Sequence, residues 1–265
     1  MNHTDTLIVE RLGAVAEIIL NRPDQRNALN AAMCDALRAA AVALRADDTI
    51  RCVIVRANGP VFCAGADLKE RKGMDIDDVR ARRLKAFAAY DALEQIGKPC
   101  IALVEGAAVG SGGEIAMACD FIVATENASF RTPEALWGTV GATQRLPRVV
   151  GKRLAKDMAY TGRTLGVQEA QQAGLVSRIV AAEDAVSLVR QMARDIADAP
   201  PLAMRLTRDC IDRGVETDPA GALAIEMLAI DTLLQNSDWK QSIASFGAGD
   251  HKDSVKNIVK DPSHA

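Results

Sequence analysis

Four short apolar runs rich in β-branched residues, 15–20, 51–56, 100–104 and 121–124, recur through the first half of the chain with helical patterns between them. Runs of that length bounded by turn residues read as strands, and those at 51–56 and 100–104 read as strands buried on both faces. Residues 6–9 pair with 15–20 as a hairpin around Leu12-Gly13. Asn30 suits the N-cap of an Ala-rich helix reaching about residue 45. Residues 77–95 form a second helix with Val79, Leu84, Phe87, Leu93 and Ile96 on its apolar side, ended by Pro99. A glycine-dense turn leads into a short helix at 114–119, which Asp120 closes. From Gly151 the pattern turns helical: 152–161, 167–173, 184–198, 201–213 and 219–235. Strands first and helices later predict an α/β core with a helical C-terminal region. On the last helix Leu223, Met227, Ile230 and Leu234 share a face, for which packing on the chain's own core is favoured over a subunit interface.

The placement of histidine narrows the chemistry. All three, His3, His251 and His264, lie near the ends, so residues 4–250 hold no imidazole for a triad or a metal site. Carboxylates are then the expected acid–base groups. The six cysteines, Cys34, Cys52, Cys63, Cys100, Cys119 and Cys210, include no C-x-x-C pair. They read as buried thiols in a reducing compartment rather than zinc ligands. A net charge of −3 disfavours nucleic acid as the main partner. No uncharged apolar run reaches the ~20 residues of a membrane span, and the start carries no signal-like leader, so a cytoplasmic location is expected.

Three segments are candidates for a site, and each has an ordinary explanation by itself. Val61-Phe-Cys-Ala-Gly-Ala-Asp-Leu68 follows a buried strand, where ligands sit in α/β folds, yet taken alone it is better explained as a tight turn. Gly106, Gly110, Gly112 and Gly113 precede Glu114 at a helix start. Free N–H groups there suit a developing oxyanion, while the third glycine of a dinucleotide fingerprint is replaced by Ile115. Thr132-Pro-Glu134 reads as a loop with a surface carboxylate.

Order and spacing change the balance. Phe62-Cys-Ala-Gly-Ala-Asp-Leu68, then Gly106 and Gly110-Ser-Gly-Gly-Glu114, then Pro133-Glu134, resemble the enoyl-CoA hydratase/isomerase (crotonase) superfamily. Asn21-Arg-Pro-Asp-Gln-Arg-Asn-Ala-Leu29, Thr143-Gln-Arg-Leu-Pro-Arg148 with Gly151-Lys152, Thr161-Gly162 and the segment 170–176 extend the likeness over roughly residues 5–240. The resemblance implies an α/β crotonase-like spiral of ββα units, with residues 1–200 holding the CoA and catalytic sites and 201–265 a helical oligomerisation region. It implies Glu114 as the residue activating water and Glu134, twenty residues on, as the one exchanging a proton with C2. The backbone N–H groups of Ala64 and Ser111 would form the oxyanion hole. Arg26, Ala28, Ala64, Gly65, Ala66, Asp67 and Leu68 would line the CoA channel. The implied activity is reversible syn hydration of a trans-2-enoyl-CoA to a 3-hydroxyacyl-CoA. CoA enters as part of the substrate, with no separate cofactor and no metal, in a homotrimer or a hexamer made of two trimers.

Rival readings are another reaction on the same scaffold (isomerisation or hydration-linked C–C cleavage), an RNA-binding protein of the same fold, and a serine hydrolase using Ser111. The RNA-binding reading predicts a basic helix face, for which Arg80, Arg82, Arg83 and Lys85 are the candidates; a solvated face or a rim for CoA phosphates is preferred. Two departures from the family pattern stand out. The loop Thr139-Val-Gly-Ala142 is about three residues short of the usual one, next to Trp137, read equally as a pocket filler or a buried core aromatic. Phe246-Gly-Ala-Gly-Asp250 also departs from the usual C-terminal motif.

Overall fold

The computed structural model describes residues 3–4 and 6–236, with side chains from residue 6 onward. The chain divides into two compact units, Met1–Ala197 and Asp198–Ala265. Phe246 and its neighbours lie outside the described residues.

The first unit opens with β1 (His3–Thr4), β2 (Leu7–Leu12) and β3 (Val15–Leu20), followed by a single 3-10 turn at Pro23–Gln25. Gly13 takes φ +67° at the hairpin expected there, a conformation glycine adopts without strain. Helix α1 (Ala31–Arg45) starts where Asn30 Oδ1 accepts the N–H of Met33 at 2.9 Å, the cap expected from sequence. Next come β4 (Cys52–Ala57), α2 (Ile76–Glu94), β5 (Cys100–Val104), β6 (Ala107–Val109) and α3 (Ser111–Met117). Strands β7 (Phe121–Thr125) and β8 (Ser129–Arg131) lead through a 3-10 turn, Glu134–Trp137, into α4 (Arg145–Thr161). The unit closes with β9 (Thr164–Gly166), α5 (Val167–Gln172), β10 (Arg178–Val180) and α6 (Ala185–Asp198).

Seven strands form one sheet in the order β1-β2-β3-β4-β5-β7-β10, antiparallel as far as β3 and parallel beyond it. Strands β6, β8 and β9 form a second, smaller sheet. The chain thus alternates: β5 enters the large sheet, β6 the small one, then α3; β7 and β8 repeat the step before α4. These are the ββα turns of the expected spiral. The period-two alternation of each central strand sends Ile18, Val53 and Ala102 into one core beneath α1 and α2. Ile54, Ile101 and Val123 go into another, capped by Val189 and Ala193 of α6.

Several boundaries and faces differ from the sequence reading. The short helix begins at Ser111, three residues before the expected start, and α4 begins at Arg145 with a kink at Gly151, φ +77°. Helix α2 buries Arg82, Ala86, Ala89, Tyr90 and Leu93, while Leu84 and Phe87, expected on the apolar face, are exposed. Arg82 displaces them because its guanidinium is satisfied inside, by Glu70 and the carbonyl of Leu29. All the cysteines are free, and all but Cys210 are fully buried.

The second unit contains α7 (Pro201–Gly214) and α8 (Pro219–Asn236), packed as a helical hairpin without a single fully buried residue. Leu223, Met227, Ile230 and Leu234 are exposed, so the core-packing reading of that face is overturned. No helix among the described residues is long and apolar enough to cross a membrane.

Candidate active site

The loops between the two sheets enclose a cavity of about 330 Å³, within the range of ligand sites. Glu114 and Glu134 both line it, with Ala66, Ser111 and the segment from Trp137 to Ala142.

Glu114 sits in the first turn of α3, 7 % exposed. Its Oε2 accepts a hydrogen bond from Arg145 Nη1 at 2.7 Å, and its Oε1 is buried without a partner. Arg145 grips Glu94 through Nε and Nη2, at 2.6 and 2.7 Å, and lies 5.5 Å over the Tyr90 ring. Burial raises the Glu114 pKa above the ordinary glutamate range; Arg145 pulls it back and Glu94 pushes it further up.

Glu134 opens the 3-10 turn, and its Oε2 is likewise buried and unpartnered. Two glycines make its room. A Cβ at Gly110 would collide with its carboxylate, and one at Gly141 would come within 2.9 Å of its Cγ. Burial raises its pKa; a hydrogen bond from its own N–H lowers it, the Glu114 charge raises it, and Arg83 and Arg71 lower it by lesser amounts. The surface-carboxylate reading of Glu134 does not hold.

The backbone donors need one correction. The N–H of Ala64 donates to the carbonyl of Arg26 at 3.0 Å and is not free for a ligand. Ala66 lines the cavity two residues on, and its N–H has no acceptor among the described residues. The strand-like bridge to Leu29 engages Gly65 O and Asp67 N and leaves the N–H between them pointing away. The N–H of Ser111, at the first position of α3, has no intrahelical acceptor. Gly112 is required behind it, because a Cβ there would strike the carbonyl of Cys63.

Of the channel residues, Arg26, Ala64, Gly65, Ala66 and Leu68 line the cavity. Ala28 and Asp67 hold the loops instead. Arg22 Nη1 donates to the Ala28 carbonyl and to Asp67 Oδ2 at 3.0 Å, and Asp67 Oδ1 accepts the N–H groups of Lys69 and Glu70. Asn27, fully buried at φ +52°, donates to the carbonyls of Asn58 and Val61, both at 2.8 Å, and accepts the N–H of Arg22 at 2.7 Å.

Trp137 is 70 % exposed at the cavity, so it is no core aromatic. The basic face of α2 is dispersed. Arg80 pairs with Asp77, Lys85 with Asp35, Arg82 is buried, and Arg83 reaches the carbonyl of Val140 and the hydroxyl of Thr139. Four cations with four separate partners are not a phosphate-tracking stripe. Arg145 and Arg71 escaped the sequence reading. Arg145 lay inside a matched segment, which was its only signal, and Arg71 had none.

An α/β fold of ββα turns that gathers two carboxylates, each with one buried unpartnered oxygen, and two unpaired backbone donors around one cavity defines an acid–base enzyme. The chain belongs to the enoyl-CoA hydratase/isomerase family, whose model matches residues 10–249. It is 38 % identical over 247 residues to a probable enoyl-CoA hydratase of Rhizobium meliloti, covering 92 % of this chain and 95 % of that one. It is 38 % identical over 236 residues to a probable mitochondrial enoyl-CoA hydratase 2 of Arabidopsis thaliana, covering 88 % and 78 %. The crystal structure of an enoyl-CoA hydratase from Bacillus anthracis superposes with a TM-score of 0.88 at 34 % identity, covering 91 % and 95 % of the two chains.

Proposed function

We propose that the chain is an enoyl-CoA hydratase in which Glu114 and Glu134 move the protons and the N–H groups of Ala66 and Ser111 hold the thioester oxygen. The observation that carries this reading is the pair of unpartnered buried oxygens, Glu114 Oε1 and Glu134 Oε2, in the cavity that also holds those two free donors.

The roles follow from the surroundings. Glu114 is hydrogen-bonded to a cation, so of the two it is the more readily ionised, and it takes a proton from water as the water oxygen bonds to C3. The C2–C3 π electrons move toward the thioester, whose oxygen becomes an enolate held by the two donors. Loss of one such donor costs roughly 3 kcal/mol of barrier. Among the described residues no cation is hydrogen-bonded to Glu134, which feels the Glu114 charge, so it carries the proton that C2 receives. Microscopic reversibility returns the same groups for dehydration. The 3-hydroxyacyl-CoA product leaves with Glu114 protonated and Glu134 ionised, and exchange with solvent resets both.

A trimer, or a pair of trimers, is part of this proposal. It is supported by the exposed apolar residues of α8, which include Leu228 beside those already named.

The test is loss of the conjugated enoyl-thioester absorbance with crotonyl-CoA, for the wild type, Glu114→Gln and Glu134→Gln. Each variant is expected to lose about 10²- to 10⁴-fold in kcat. An inactive wild type sinks the hydratase reading, and a Glu114→Gln variant that still moves double bonds converts it into an isomerase.

A further inference from the structure

Of the five arginines lining the cavity, Arg82 alone forms a salt bridge among the described residues, and Arg71 and Arg83 are the two whose charge acts on Glu134. Arg71 leaves its Nε buried and without any hydrogen-bond partner. Among the described residues Arg83 donates to two neutral acceptors, the carbonyl of Val140 at 2.6 Å and the hydroxyl of Thr139. Their neighbour Arg82 differs, since Glu70 pairs with it. Burial, then repulsion from Arg82 and Arg83, depresses the Arg71 pKa, against opposing pulls from Tyr90 and Glu70. A buried donor without an acceptor is unfavourable until one arrives, and a planar guanidinium favours a carboxylate.

The position of these charges says which part of a ligand they meet. Both act on Glu134, whereas the charges acting on Glu114 are those of Arg145 and Glu94. Arg83 grips the 139–142 segment, and Gly141 of that segment packs on the Glu134 side chain. Phe87, Trp137 and Val140 stand around them as exposed apolar wall. A cavity of about 330 Å³ is at the small end for ligand sites. That volume has room for a short acyl group with its thioester and not for a whole CoA.

We propose that the preferred acyl group carries a carboxylate a few carbons beyond the thioester, received by Arg71 Nε with the Arg83 charge behind it. This rests on the acyl-CoA reading above and narrows it to enoyl thioesters of dicarboxylic acids. A second consequence concerns Glu134. A substrate carboxylate at Arg71 draws the field of both arginines off Glu134, and Glu134 keeps the proton that C2 needs.

The experiment uses saturated thioesters that cannot react, glutaryl-CoA and pentanoyl-CoA, titrated calorimetrically into the wild-type protein at physiological ionic strength. One charge-assisted hydrogen bond predicts tighter binding of glutaryl-CoA by about 10- to 100-fold. Arg71→Met and, separately, Arg83→Gln should bring that ratio toward one, and Arg71→Lys should restore part of it. Equal binding of the two thioesters by the wild type overturns the proposal. So does Arg71→Met weakening both esters alike with their ratio intact, which would assign the arginine to the CoA phosphates. Crotonyl-CoA hydration, run in parallel, separates the two layers. Hydration with no carboxylate preference removes this inference alone, and a carboxylate preference with no hydration removes the hydratase reading alone.

Discussion

The carboxylate of Glu134 rests against the α-carbon of Gly110, in the space where a Cβ would stand. Gly110 also has φ +50° and heads α3, one residue before the Ser111 donor and four before Glu114. One glycine therefore sets the separation of both carboxylate-bearing elements. Gly110→Ala is expected to lower kcat for crotonyl-CoA by about 100-fold or more, because an ångström of displacement at the reacting groups is worth that much. The strained backbone should cost only about 1–3 kcal/mol of stability. Activity and a thermal melt measured together check this; a variant within a few-fold of wild-type kcat would show that the contact is dispensable.

In the proposed mechanism Arg145, hydrogen-bonded to Glu114 Oε2 at 2.7 Å, acts as a positioning residue for that carboxylate. Burial raises the Glu114 pKa and Arg145 pulls it back, so Arg145→Gln raises it further. A base with a higher pKa is lost at a higher pH, and the acid limb of the kcat/KM profile should move toward alkaline pH. The alkaline limb, set by Glu134, should stay closer to its original place. An acid limb that does not move would limit Arg145 to a scaffold role.

Glu17 makes a stability prediction far from the cavity. It is fully buried on β3, held by Arg56 Nε at 2.8 Å and by Arg190 Nε and Nη2 at 2.5 and 2.9 Å. Burial raises its pKa, but the hydrogen bonds from Arg190 and then Arg56 outweigh that and the net shift is downward. A depressed folded-state pKa contributes stability above the unfolded value of about 4.3, and that stability is lost as pH falls through the folded value. Glu17→Ala should cost about 3–5 kcal/mol at pH 7 by stranding two arginines. Urea titrations at pH 7 and at several points below pH 4 should show the gap from wild type closing with acid.

Asn27 ties the loop that carries Arg26 to the loop that carries Val61. Asn27→Ala removes three hydrogen bonds at a fully buried site and should cost about 3 kcal/mol, at roughly 1 kcal/mol each. Because Ala64 hangs on the carbonyl of Arg26, KM for an acyl-CoA should rise as well. A changed melting temperature with unchanged KM would separate the loop from the site.

Much of the fold was legible because its signals are local. The cap of Asn30 on Met33, the glycine at the first hairpin and the apolar runs at 15–20 and 100–104 depend on residues within one turn or one strand. The three-residue strands β6, β8 and β9 were not legible, since three residues are too few to show a period and their partners lie far along the chain. The apolar face of α2 misled for a related reason. Arg82 is buried by Glu70 and Leu29, twelve and fifty-three residues away, while Phe87 and Leu84 stay outside. At the site, the positions of Glu114 and Glu134 could be read, but the engagement of Ala64 by Arg26 could not.

The sequence by itself determined which groups exist for chemistry: carboxylates without histidines through the body of the chain, glycines where backbone must approach closely, and the spacing that marks the family. Tertiary structure decided which of those groups are free to act. Whether an N–H already has an acceptor, whether a carboxylate oxygen is unpartnered, and whether an arginine meets an acid or a carbonyl depend on residues brought together across tens of positions. Burial then amplifies each choice, because an unpaired polar atom away from water is far more unfavourable than the same atom on the surface. At Arg71 that amplification turns an unmarked arginine of a loop into a candidate receptor for the acyl group.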